Sequence, residues 1–125
     1  MPEKFKYQFD SSLGIVFKYY YGLISIEDIE SSWVYAFEKG LIPKETKGFI
    51  LDYRESNFNI KIDEYSAISK FYQKHLDVFG NLKIAIITVE PKDIVIPLLV
   101  KEEDSGYSSR PFSTLDSAIN WVLKD

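Results

Sequence analysis

Polar and aromatic residues alternate through "KFKYQF", residues 4–9, so Phe5, Tyr7 and Phe9 share one face of a strand whose other face meets water. Such a strand suits the edge of a sheet. The Asp, Ser and Gly residues of "DSSLG" favour a tight connection. The β-branched and aromatic run "IVFKYYYG", 15–22, then predicts an antiparallel partner. Ser25 with Asp28 three positions later is a capping signature. It precedes Ile26, Ile29, Trp33 and Phe37, whose spacings of three and four lay one apolar stripe along a helix that Gly40 ends.

The pattern then changes period. "GFIL", 48–51, is a continuous apolar run of the kind found in strands covered on both faces, and "DYRESNFNIKI", 52–62, reads as a long loop. From Asp63 the residues Tyr65, Ile68, Phe71 or Tyr72, Leu76 and Phe79 restore helical spacing up to Gly80 and Asn81. "KIAIITV", 83–89, predicts a second buried strand closed by Pro91. A third helix follows, capped by Asp93, with Pro97 in its first turns, where a missing N–H costs least. "YSSRPF", 107–112, is a short edge-like strand because of Pro111. Thr114 caps a fourth helix with Leu115, Ala118, Ile119 and Val122 facing inward. The order ββαβαβαβα predicts an α/β fold: a mixed, mainly parallel five-stranded sheet with right-handed crossovers and four helices, antiparallel only at its first strand. A chain of 125 residues is expected to form one domain, 1–125.

Composition narrows the chemistry. A net charge of -4 provides no basic stripe for phosphates, so no nucleic-acid partner is expected. The absence of cysteine removes disulfides, thiolate nucleophiles and the common structural zinc sites together. The first ten residues carry charge where a signal peptide would be apolar, and no stretch approaches the ~20 apolar residues of a membrane span. A cytoplasmic protein with no membrane span is the expectation.

The element order resembles the STAS domain, named for sulfate transporters and anti-anti-sigma factors, and the bacterial STAS-like proteins grouped with lipid-binding Sec14 domains. "ILDYRE", 50–55, is similar to the strand end that STAS domains write as apolar residues followed by Asp. "PFSTLDSAINWVL", 111–123, is similar to the closing Phe, cap, Ala and Trp pattern of the STAS-like proteins. Regulatory members place a phosphorylatable Ser or Thr after an Asp at the start of helix two. In "IDEYSA", 62–67, Asp63 matches that Asp and Glu64 stands where the acceptor would be. A carboxylate cannot be phosphorylated, so the resemblance implies that the switch is absent or that Glu64 mimics its charged state. Glu64 also suits a plain helix-start carboxylate favoured by the dipole, and Ser66 is a substitute acceptor. The partners implied are another protein or a second copy of the chain, and, from the Sec14 side, a small apolar ligand.

His75 is the only histidine, which leaves few ways to build a nucleophile–base pair. The six glycines form no phosphate-cradling loop, and no cofactor is expected. "KEED", 101–104, lacks the spacing of a calcium loop. Tyr19, Tyr20, Tyr21 and Trp121 are aromatic rings that could serve an interface. Ligands of parallel sheets bind beyond the carboxyl ends of the strands, where Asp52, Arg54 and Glu55 fall. There Asp52 is expected to anchor the next loop and Arg54 to face the other way, towards a partner. Candidate binding residues are therefore Asp52, Arg54, Glu55, Asp63, Glu64 and Ser66. Three functions compete: a non-enzymatic binding or regulatory module, a Sec14-like carrier, and an enzyme using Asp52, Arg54 and His75. The carrier requires a closed apolar cavity of ~300 Å³ beneath helix three; the enzyme requires its three residues in one cleft.

Overall fold

In a computed structural model, which describes residues 4–124, strands β1 (Phe5–Asp10) and β2 (Ile15–Ile24) form the expected antiparallel hairpin. The ends of the expected domain, residues 1–3 and 125, lie outside the described residues. Asp10 makes the turn: its carboxylate accepts from the Ser12 and Leu13 N–H groups and its carbonyl from Gly14, which adopts a φ of 72° that a side chain would resist. Strands β3 (Gly48–Phe58), β4 (Lys83–Ile87) and β5 (Ser108–Phe112) add in parallel, so the sheet runs β1-β2-β3-β4-β5, in chain order.

That order decides where the helices lie. Right-handed crossovers between strands that always step the same way put every connecting helix on one face. Helices α1 (Ile26–Lys39), α2 (Ser66–Lys74), α3 (Leu76–Phe79) and α4 (Val95–Glu102) accordingly cover one side, where Trp33, Phe49, Tyr72 and Phe79 form the centre of the larger core. Helix α5 (Leu115–Leu123), after the last strand, returns over the other side and seals Ile15, Ile50, Ala85 and Ile87 with Ala118 and Val122. Its approach needs Gly48: a β-carbon there would lie 2.5 Å from a Val122 methyl.

Three elements differ from the sequence expectation. Residues 52–58 are strand, not loop, because Ser56, Asn57 and Phe58 pair with Gly22, Leu23 and Ile24 at the far end of a β2 that also runs longer than expected. The ladder with β2 overrides the poor strand propensity of Asp, Ser and Asn. Helix two is broken: His75 leaves helical backbone (φ −122°, ψ 43°), its ring 4.5 Å from that of Phe71 and 5.0 Å from that of Phe37, and α3 follows as a separate turn. The described residues therefore hold five α-helices where the pattern predicts four. Asp93 does not cap α4 through its side chain. It is buried, and its carboxylate accepts from the Phe58 N–H at 3.3 Å and the Asn57 amide at 2.8 Å, tying the end of β3 to the β4–α4 connection. The caps at Ser25, reciprocal with Asp28, and at Thr114 form as expected.

Candidate functional site

The register between β2 and β3 slips where the first candidates lie. Tyr19 pairs with Asp52 but Tyr21 with Glu55, so Tyr53 and Arg54 together oppose Tyr20 alone, a bulge in β3. Residues two apart in a strand share a face, and Asp52 and Arg54 do so, against the expectation that they would face alternately. The Asp52 carboxylate, only 5% exposed, accepts the Arg54 N–H at 3.0 Å, Nε at 3.0 Å to each oxygen, and Nη2 at 2.6 Å. Asp52 thus anchors the backbone that follows it, as expected. Arg54 is not the free reader that the sequence suggests, since its fork closes on Asp52, whose hydrogen bond raises the guanidinium pKa further.

Around this pair lies a cleft of about 240 Å³ lined by Tyr19, Tyr20, Tyr21, Asp52, Arg54 and Glu55. On the opposite face of the sheet at this point, the Tyr20 and Tyr53 rings stack at 4.2 Å, nearly parallel. Tyr19 is half-buried against Phe17, and burial, followed by the charge of Asp52, pushes its hydroxyl pKa up, so that it remains a neutral donor. Tyr21 and Glu55 are exposed, and Glu55 forms no ion pair among the described residues. The cleft therefore presents phenol groups and one free carboxylate around a self-neutralised ion pair. This arrangement can hold a polar or cationic group by hydrogen bonding.

The other candidates stand apart from it. Glu64, in a 3₁₀ turn (Ile62–Glu64), accepts the Lys61 N–H at 2.8 Å, the geometry of a helix-start carboxylate. Asp63 beside it is exposed, and Ser66 donates its hydroxyl to Glu103 at 3.2 Å. None of the three lines the Asp52 cleft. His75 packs against Phe37 and Phe71, on the side of the sheet opposite the Tyr19 ring, so Asp52, Arg54 and His75 do not converge. In "KEED", Glu103 is engaged by Ser66, and Asp104 by the Ser109 hydroxyl at 2.8 Å. Trp121 lies against Phe112 and beneath the Lys83 ammonium rather than at a free surface. The cavity beneath α4, lined by Ile29, Leu51, Tyr53, Ile96 and neighbours, measures about 20 Å³. That is room for a water molecule, far below the threshold set for a carrier.

Sequence reasoning missed Lys18. Alternation along β2 signals it, since Val16, Lys18 and Tyr20 must share a face, and Lys18 is completely buried beneath α1.

No family profile and no curated protein sequence matches the chain. Solved structures do. An uncharacterised protein of the DUF3478 family from Shewanella loihica PV-4, described as having a SpoIIAA-like fold, superposes with a TM-score of 0.62 at 14% identity, over 94% of this chain and 91% of that one. The anti-sigma factor antagonist SpoIIAA in its unphosphorylated form superposes with a TM-score of 0.51 at 12% identity, over 94% and 96% of the two chains. The α/β fold of this chain, with its five strands in this order, is SpoIIAA-like, that is, a STAS-like domain fold.

Proposed function

We propose that the chain is a non-enzymatic, cytoplasmic binding module that meets a protein partner through the surface around Tyr19, Tyr21 and Glu55. The observation that carries this reading is the filled interior. The space of about 20 Å³ beneath α4 favours an external recognition surface, and the 240 Å³ cleft beside the bulge in the middle of β3 combines the exposed Tyr21 and half-buried Tyr19 rings with a free carboxylate. The likeness in fold to an anti-sigma factor antagonist supports it by analogy. Control by phosphorylation at position 64, in the turn before α2, is not part of the proposal: Glu64 has no hydroxyl, and its carboxylate already holds the Lys61 backbone.

The test is capture from a lysate of the native host on the immobilised protein, followed by mass spectrometry of bound proteins and co-purified small molecules. A protein retained by the native chain and lost from both Glu55→Lys and Tyr21→Ala is the expected result. Retention of the same protein by both variants refutes this surface, and a co-purified lipid with no protein refutes the module in favour of a carrier.

A further inference from the structure

Lys18 has the surroundings of an uncharged amine. It is 0% exposed, and its Nζ lies 3.7 Å from the centre of the Trp33 ring, 4.7 Å from that of Tyr20 and 5.2 Å from that of Tyr7. Among the described residues its one hydrogen-bond acceptor is Ser32 Oγ, whose own proton goes to the Ile29 carbonyl at 2.8 Å. An ammonium carries three donors, so two would be left without an acceptor here. The titratable groups that face this site are phenols: Tyr7 from β1, Tyr20 from β2, Tyr53 from β3 and Tyr72 from α2, each held neutral by burial. Among the described residues no carboxylate contributes, and burial pushes the amine well below the usual lysine range. Ring faces attract a cation, but they replace only part of the hydration it loses.

Ser32 is also where the hairpin holds α1. The Tyr7 hydroxyl donates to the Ser32 carbonyl at 2.6 Å while Lys18 donates to its side chain, so both β1 and β2 grip the same residue of the helix. We propose that Lys18 is a proton-operated latch: as a neutral amine it seats the Ser32 turn of α1 on the hairpin, and when it takes up a proton it leaves the ring cage for water and unseats that turn. The latch does not depend on what binds the cleft, and its failure would leave the binding reading intact.

Linkage fixes the sign. With α1 seated the amine titrates low; with α1 lifted it titrates near an ordinary lysine, at about 10.4. Between those values the open form holds one more proton, so the opening constant rises about tenfold for each unit that pH falls. Below the seated-state midpoint it levels off. Two measurements test this in the full chain. Carbon-13 at the lysine ε positions reports the Lys18 midpoint, and hydrogen exchange of the α1 amides from pH 9 to 6, corrected for intrinsic exchange, reports opening. Expected are a Lys18 midpoint far below that of the surface lysines, a lower one still in Ser32→Ala, and an α1 opening constant that follows the tenfold rule and loses its pH slope in Lys18→Met. An ordinary lysine midpoint in the folded protein would make Lys18 a caged cation and overturn the latch. So would the same slope in Lys18→Met, an unchanged midpoint in Ser32→Ala, or an equal slope at every amide of the sheet.

Discussion

Asp52 and Arg54 have to be judged as a pair, because each is the other's main partner. Removing the Asp52 carboxylate strands an N–H and a guanidinium fork, so Asp52→Ala should cost about 1–3 kcal/mol. Arg54→Ala leaves a buried carboxylate with one backbone donor, so its cost should reach the same order rather than the ~0.5 kcal/mol of an ordinary surface change. The double variant should then be less unstable than the sum of the two, which denaturant melts of all four proteins would measure. Strictly additive losses would mean that the two residues act separately. Asp at the end of an apolar run was legible as an anchor. The fate of Arg54 was not, because "DYRES" reads as loop, and only once it is strand do Asp52 and Arg54, two apart, share a face. Lys18 was hidden for a different reason: alternation places it inward, but a lysine between aromatic residues reads first as a solvent-facing interruption.

At the scale of elements, the sequence pattern found every strand and the capped starts of α1 and α5, and failed where a tertiary contact overrules it. The break at His75 leaves Tyr72, Leu76 and Phe79 at helical intervals, so the spacing survives although the hydrogen bonding does not. Likewise, the polar end of β3 becomes strand only because β2 lies beside it and Asp93 receives its edge groups. Asp93→Ala removes both acceptor contacts. It should destabilise the protein by about 1–3 kcal/mol and speed hydrogen exchange at Asn57 and Phe58 more than at Ile50 and Leu51. Equal acceleration along the whole strand would show that Asp93 supports the core generally and not the end of β3.

The whole molecule was the most legible level, since alternating strands and helices leave few ways to connect a parallel sheet. Which strands stay at the edges was legible not from the order of elements but from the alternation of β1 and from Pro111 in β5. The structure puts β1 at one edge and β5, with Pro111 lacking an N–H, at the other. The aromatic β1 edge has no such guard, and bare edges invite pairing. Sedimentation at micromolar concentrations should therefore reveal a dimer; a monomer at every concentration would count against pairing through β1.

A sheet laid down in chain order also has a history. Each strand after the hairpin docks beside the one made just before it, so no strand must wait for a later segment to wedge in between, and the contacts that close each step span short stretches of chain. Assembly can proceed outward from β1 and β2 as the polypeptide emerges during synthesis. Only α5 breaks this progression. It comes last and alone covers the second face, so until it arrives Ile15, Ile50 and Ile87 are open to water. A growing chain halted before Leu115 would hold nearly its whole sheet and one finished side, while presenting a bare apolar surface to whatever chaperone stands nearest.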